Sequence, residues 1–184
     1  MQNAASFLLE KARPLAYTEE QGEKIDMDSR NILYPTIKRN TGVILQQTDT
    51  LKNEDSFLQP PVRGNCMNWI LGHILCFRER MLFILGNTQL ALPETTRTLY
   101  TRDSEPITRY DPQLPTLEQL LSELKRAQAL LKESLQAATP ELLTQEVNGD
   151  TVLSLLHQMV WHETYHVGQL ELLRQLAGTN DKVI

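Results

Sequence analysis

The sequence predicts an all-α fold: an up-down four-helix bundle with a short N-terminal extension and a long loop between the second and third helices. Three observations predict it. Four long segments carry apolar residues at helical spacing, no stretch shows convincing strand alternation, and the clearest segments begin on capping residues and stop at glycine. At 184 residues the chain has the size of one ordinary domain, able to bury a core without disulfides or a structural metal.

Residues 1–26 are polar and charged after a short apolar patch at Phe7, Leu8 and Leu9, and Pro14 and Gly22 interrupt them. They read as an extension, leaving 27–184 as the domain. The first helix begins between Asp28 and Pro35 and runs to about Leu51; Pro35 is tolerated near a helix start, and Ile37, Ile44, Leu45 and Leu51 form its apolar side. After a loop containing Pro60 and Pro61, Asn65 is a candidate N-cap for a second helix from Cys66 to about Leu85, stopped by Gly86 and Asn87. Residues 86–115 hold four prolines and no sustained period, which makes them a long connection.

Thr116 and Gln119 form a capping box, followed by Leu117, Leu121, Leu124, Gln128, Leu131 and Leu135 at alternating steps of four and three. This is the third helix. Turns at Thr139-Pro140-Glu141 and Asn148-Gly149 lead to a fourth helix from Asp150 or Thr151 to about Ala177, ended by Gly178.

Composition narrows the function. With 18 Lys and Arg against 23 Asp and Glu, the formal charge is -5 and no basic run appears, so the electrostatic footprint of a nucleic-acid binder is missing. No apolar stretch reaches the length of a membrane span, and the N-terminus lacks the pattern of a signal peptide. A cytoplasmic protein is expected. Cys66 and Cys76 sit ten positions apart in one predicted helix, too distant to bridge, and are expected as free thiols.

The chemistry concentrates in HETYHVGQ, residues 162–169, which contains a literal HExxH. On a helix, His162 and His166 lie only about 40° apart, with Gln169 between them and Leu155, Met159 and Leu173 in the same sector. A second stripe of Leu156, Val160, Val167 and Leu170 covers a neighbouring sector. Two imidazoles one turn apart on an inward face call for a bound ion, and a tight transition-metal site needs a third ligand. The 18 residues after His166 contain no histidine, and Glu171 points about 180° from His162, so a downstream ligand of the metalloprotease kind is missing.

An upstream ligand is available. His73 lies in NWILGHILCFRERML on a face shared with Cys66, Trp69, Ile70, Cys76, Phe77, Arg80 and Ile84. A bundle can bring His73 against His162 and His166, giving three neutral ligands and one open position for water or substrate. Glu163 would be the general base of a peptidase; it equally suits orienting an imidazole or pairing at a helix contact. Gln169 suits holding a water or a ligand histidine, and Gly168 a close helix approach. Cys76 reads as a small buried hydrophobe rather than a fourth ligand, and His157 as a surface residue. Arg80 suits either an anionic substrate group or a carboxylate at the bundle end. Tyr100, Arg102, Tyr110 and Asp111 are candidates for the mouth of the site.

NWILGHI with its arginine-containing helix, and HETYHVGQLELLRQLAG with its HExxHxGQ pattern, resemble the DinB superfamily of metal-binding helical bundle proteins over roughly residues 28–178. In that family one histidine on the second helix and two on the last hold a divalent metal. The resemblance therefore implies His73, His162 and His166 as metal ligands, with zinc, nickel or iron as the ion. Several members are thiol transferases or isomerases using a low-molecular-weight thiol such as bacillithiol or mycothiol. The expectation is a metal-dependent transferase or hydrolase acting on a small molecule, with Glu163 and Gln169 as candidate catalytic residues. A non-catalytic bundle held by its metal, serving in binding or stress response, is the alternative. Apolar breadth on the fourth helix and the resemblance both suggest a homodimer.

Overall fold

Six helices, one 3₁₀ turn and a minimal hairpin make up the regular structure of residues 30–179, the part described by this computed structural model. The predicted extension 1–26 lies outside the described residues. The four long helices are α1 (Arg30–Thr48), α2 (Met67–Ile84), α4 (Leu117–Ala137) and α6 (Val152–Leu176). The short ones are α3 (Glu94–Leu99) and α5 (Pro140–Thr144), the 3₁₀ turn is Glu54–Phe57, and β1 (Glu146–Val147) pairs antiparallel with β2 (Asp150–Thr151). No helix among the described residues is long and apolar enough to cross a membrane.

The fold is mostly helical, and local chemistry explains its boundaries. Thr116 Oγ1 accepts from the Gln119 N–H while Gln119 Oε1 accepts from the Thr116 N–H, the reciprocal box that starts α4. Thr151 caps α6 by accepting from the Ser154 N–H. Asn148 and Gly149 turn the hairpin with positive φ, as Asn-Gly pairs do. One predicted detail shifts: the N-cap of α2 is Cys66 instead of Asn65, without a side-chain bond. The start of α1 falls within the predicted interval, with Pro35 in its second turn. The turn expected at 139–141 is the capped start of α5.

Helix directions depart from simple alternation. Asn40 meets Thr164 and the Arg174 guanidinium meets the Gln47 and Asp49 carbonyls, so α1 and α6 run parallel. Asn68 meets Pro115, Arg78 meets Leu124 and Asn87 meets Ser134, so α2 and α4 are parallel as well. The packing of α2 on α6 is antiparallel, with Phe77 beside His162 and Ile84 beside Leu155. The order is up, down, down, up. Both α1 and α2 pack on α4 and on α6, forming a square.

Joining two parallel helices requires a connection that travels the length of the bundle, and residues 85–116 do so along α2. Glu79 Oε1 accepts from the Leu92 N–H at 2.7 Å, Trp69 Nε1 donates to Ser104 Oγ at 2.9 Å, and Gln59 Nε2 donates to the Ile107 carbonyl at 2.8 Å. The predicted loop is thus a pinned strap containing α3. Its anchor is Tyr100, fully buried, whose hydroxyl donates to Asn68 Oδ1 at 3.0 Å. The ring lies flat against Gly72: a Cβ there would meet Tyr100 Cδ1 and sit 2.5 Å from its Cε1 and Cγ, which makes glycine the residue that admits the strap.

At the centre of the square lies Arg78, 0% exposed. Its Nε and Nη2 donate to the two oxygens of Glu163 at 2.9 and 2.7 Å, its Nη1 to the Leu124 carbonyl at 2.8 Å and its Nη2 to Thr41 Oγ1 at 2.9 Å. One guanidinium therefore joins all four long helices. Around it pack Leu33, Ile37 and Ile44 of α1, Leu71, Leu75 and Leu82 of α2, Leu120, Leu124 and Leu131 of α4, and Leu156, Val160, Val167 and Leu170 of α6.

Candidate metal centre

The antiparallel contact between α2 and α6 sets His73 against the pair one turn apart on α6. His162 Nε2 lies 3.1 Å from His73 Nε2 and 3.1 Å from His166 Nε2. All three donor atoms fall within 4.8 Å of one another. Tetrahedral ligands at zinc–nitrogen bond lengths stand roughly 3.3 Å apart, so the spacing suits a shared ion.

Tautomers strengthen the fit. His73 Nδ1 donates to the Tyr100 carbonyl at 2.6 Å, and His166 Nδ1 donates to Gln169 Oε1 at 2.7 Å. With the proton fixed on Nδ1, each neutral ring turns an Nε2 lone pair toward His162. A single N–H on His162 Nε2 can satisfy only one of those two lone pairs; a divalent cation satisfies all three nitrogens. The donor set fits a metal.

Burial supports neutral rings. His73 and His166 are 5% and 8% exposed, and His162 is half-buried, which leaves the open side of the cluster at His162. Desolvation pushes all three imidazoles below the ordinary value. Repulsion from a neighbouring imidazole adds to it in each case, and Arg102 contributes at His162, while the bonds to the Tyr100 carbonyl and Gln169 pull the other way. Trp69 stacks on His73 with centroids 4.5 Å apart, and Phe77 lies 4.5 Å from the His162 ring, so aromatic walls hold two of the three ligands.

The other residues singled out in the sequence are placed as follows from their contacts. Gln169 is at the site, orienting His166. Glu163 turns away: it is 0% exposed, and both of its oxygens bind Arg78, so of the roles open to it the structure shows the helix-contact pair. Cys76 is a free, half-buried thiol outside the cluster of donors, and His157 is exposed. Gly168 has nothing within 4 Å of where its Cβ would be, so it does not serve a close helix approach.

The strap residues also separate. Tyr100 contributes its carbonyl from a buried position instead of lining a mouth. Tyr110 packs edge-on against Phe57 at 5.4 Å, and Asp111 accepts from the Gln113 N–H at 2.8 Å.

Sequence reasoning missed Arg78 and the Tyr100 carbonyl. A signal for the first exists. Glu163 stands in register with Leu156, Val160, Val167 and Leu170, and a carboxylate in an apolar stripe demands a buried cation; Arg78, in register with Leu71, Ile74, Leu75 and Leu82, is its counterpart. A backbone carbonyl leaves no such mark.

The sequence profile of the DinB superfamily matches residues 36–170, more than half of the chain. The chain belongs to the DinB superfamily. The matched DinB span contains His73, His162 and His166 together with Tyr100, Arg78 and Glu163. No curated protein sequence matches the chain.

Proposed function

We propose that this DinB protein is a metal-dependent transferase or hydrolase for a small molecule, with a low-molecular-weight thiol as the co-substrate we favour. The observation that carries the reading is the set of three Nε2 atoms, two with lone pairs fixed by the Tyr100 carbonyl and Gln169, gathered on the half-buried side of His162. A divalent cation held by three neutral ligands keeps its full charge and would lower the pKa of a thiol or water placed beside it. His73, His162 and His166 would bind the ion, Gln169 positions His166, and Trp69 and Phe77 exclude water from two sides.

The competing reading is a bundle whose metal only fastens α2 to α6. What favours catalysis is that Cys76 and Glu163 both stand outside the donor cluster, so among the described residues no fourth protein ligand closes it. The reading also includes a cytoplasmic address and a homodimer, the latter supported by Tyr165, Leu172 and Leu176, exposed along one face of α6.

Elemental analysis of untagged protein, followed by thiol consumption with monobromobimane across bacillithiol, mycothiol, glutathione and water alone, tests it. We expect one divalent ion per chain and metal-dependent turnover absent from His162→Ala. Equal rates for wild type and variant with every acceptor and metal would leave the structural reading.

A further inference from the structure

The groove that opens at His162 has a chemical character of its own. Between α2 and α6 lies a cavity of about 340 Å³ lined by Phe77, Arg80, Ile84, Leu155, Gln158, Met159 and His162, with Trp161 at its edge, 71% exposed. The volume suits a small organic molecule rather than a macromolecule. Gln158 apart, its walls are apolar; no carboxylate lines it, and Arg80 is its one charged lining residue.

The state of Arg80 is what makes this informative. Arg78 spends its guanidinium on Glu163, Leu124 and Thr41, and Arg97 spends its own on Glu79 and Glu94. Glu79, adjacent to Arg80 in sequence, is occupied by Arg97 and the Leu92 N–H. Arg80 makes no hydrogen bond or ion pair among the described residues, although the chain as a whole carries a net charge of -5. This exposed arginine, with no partner among the described residues, stands two turns along α2 from His73 and in the same groove as His162. Arg102 adds a second positive charge near enough to His162 to act on it electrostatically.

We infer that the groove recognises a small organic acid, its apolar body lying along Phe77, Ile84, Leu155 and Met159 and its anionic group bound by the Arg80 guanidinium. This inference rests on the proposed catalytic centre for its location and adds the substrate class. An arginine fork pairs well with carboxylate or sulfonate, and the apolar walls reject a fully hydrated anion such as phosphate alone. The acid's reactive end then lies toward His162, and Arg80 acts as a specificity residue.

The test compares 4-phenylbutyrate with its neutral isostere 4-phenylbutyramide on metal-loaded protein, read by quenching of Trp161 fluorescence in a Trp69→Phe background. The acid is expected to bind about five- to tenfold more tightly than the amide, an advantage typical of one partly exposed charge-assisted pair. Arg80→Met should bring the two ligands to equal affinity by weakening the acid alone, and Arg80→Lys should restore part of the difference. If acid and amide bind alike in wild type, or if the preference survives Arg80→Met because the ion or Arg102 supplies it, the inference is overturned. Metal stoichiometry measured on the same samples separates the cases: protein that holds no metal defeats the proposed function, whereas protein that holds metal without discriminating defeats only the substrate class.

Discussion

Replacing Glu163 with glutamine gives the most direct reading of what this HExxH does. In a metalloprotease the motif glutamate activates water and its amide abolishes turnover while the fold survives. Here Glu163 is fully buried and accepts two charge-assisted bonds, at 2.9 and 2.7 Å, from an arginine that is fully buried itself. Glutamine removes the negative charge and turns an NH2 group toward one guanidinium N–H, leaving a cation uncompensated at the centre of four helices. Breaking one side of a buried pair costs about 3–5 kcal/mol, a large share of the roughly 5–15 kcal/mol that holds a domain together. At about 2–4 °C per kcal/mol for a chain of this size, Glu163→Gln should lower the melting temperature by roughly 6–20 °C. Circular dichroism with and without chelator measures it. Metal stoichiometry of the folded variant at low temperature should stay unchanged, because none of the three histidines has been touched. A variant melting within about 2 °C of wild type, or one that keeps its stability and loses its metal, would refute the reasoning. The double replacement Arg78→Met with Glu163→Leu should recover much of the loss, since a packed apolar pair has no charge to strand.

Three further outcomes are expected. Gly72→Ala should destabilise by about 1–3 kcal/mol in urea unfolding, because the new Cβ must displace the Tyr100 ring, whereas Gly42→Ala and Gly168→Ala, with nothing within 4 Å, should be neutral or stabilising; a stabilised Gly72→Ala would show that the strap is not anchored there. Metal-free protein should lose stability on acidification. Burial holds the three imidazoles below their ordinary 6.5, so both states are neutral above that value, while below it the unfolded chain takes up protons that the folded one refuses. The urea midpoint should therefore fall between pH 6.5 and 5.5 more steeply than in a variant with all three replaced by glutamine, and identical slopes would contradict it. Finally, burial and then the Glu79 charge, opposed by Arg97, push the Cys76 thiol up to about 12, and burial raises Cys66 too. Dithionitrobenzoate should react with either at least about a hundredfold more slowly in folded than in urea-unfolded protein, and a fast-reacting thiol in folded protein would count against this placement.

Much of this was legible in the chain because helix periodicity and capping are local. The Thr116–Gln119 box, the Thr151 cap and the Leu156, Val160, Val167, Leu170 stripe are each written within a few residues and recur in the structure. The convergence of His73 with His162 and His166 was readable because a ligand pair lacking its third member limits where that member can be. What escaped depends on distant contacts. Helix direction is decided by the strap at 85–116, whose prolines hide its periodicity and whose anchoring relies on Gly72, an ordinary helical glycine until Tyr100 lies on it. The tautomer of His73 rests on a main-chain carbonyl, and main-chain atoms are the same in every residue.

The ligands that face one another at 3.1 Å are 89 positions apart in the chain. Before folding, the α6 pair can meet a passing ion with two nitrogens at most, and the third arrives only after a long stretch of polypeptide has closed upon itself. An ion held by all three histidines would therefore be captured late, and not before His166 emerges during synthesis. Its occupancy would report that the bundle has been assembled, and the ion would in turn act as a clasp that penalises reopening.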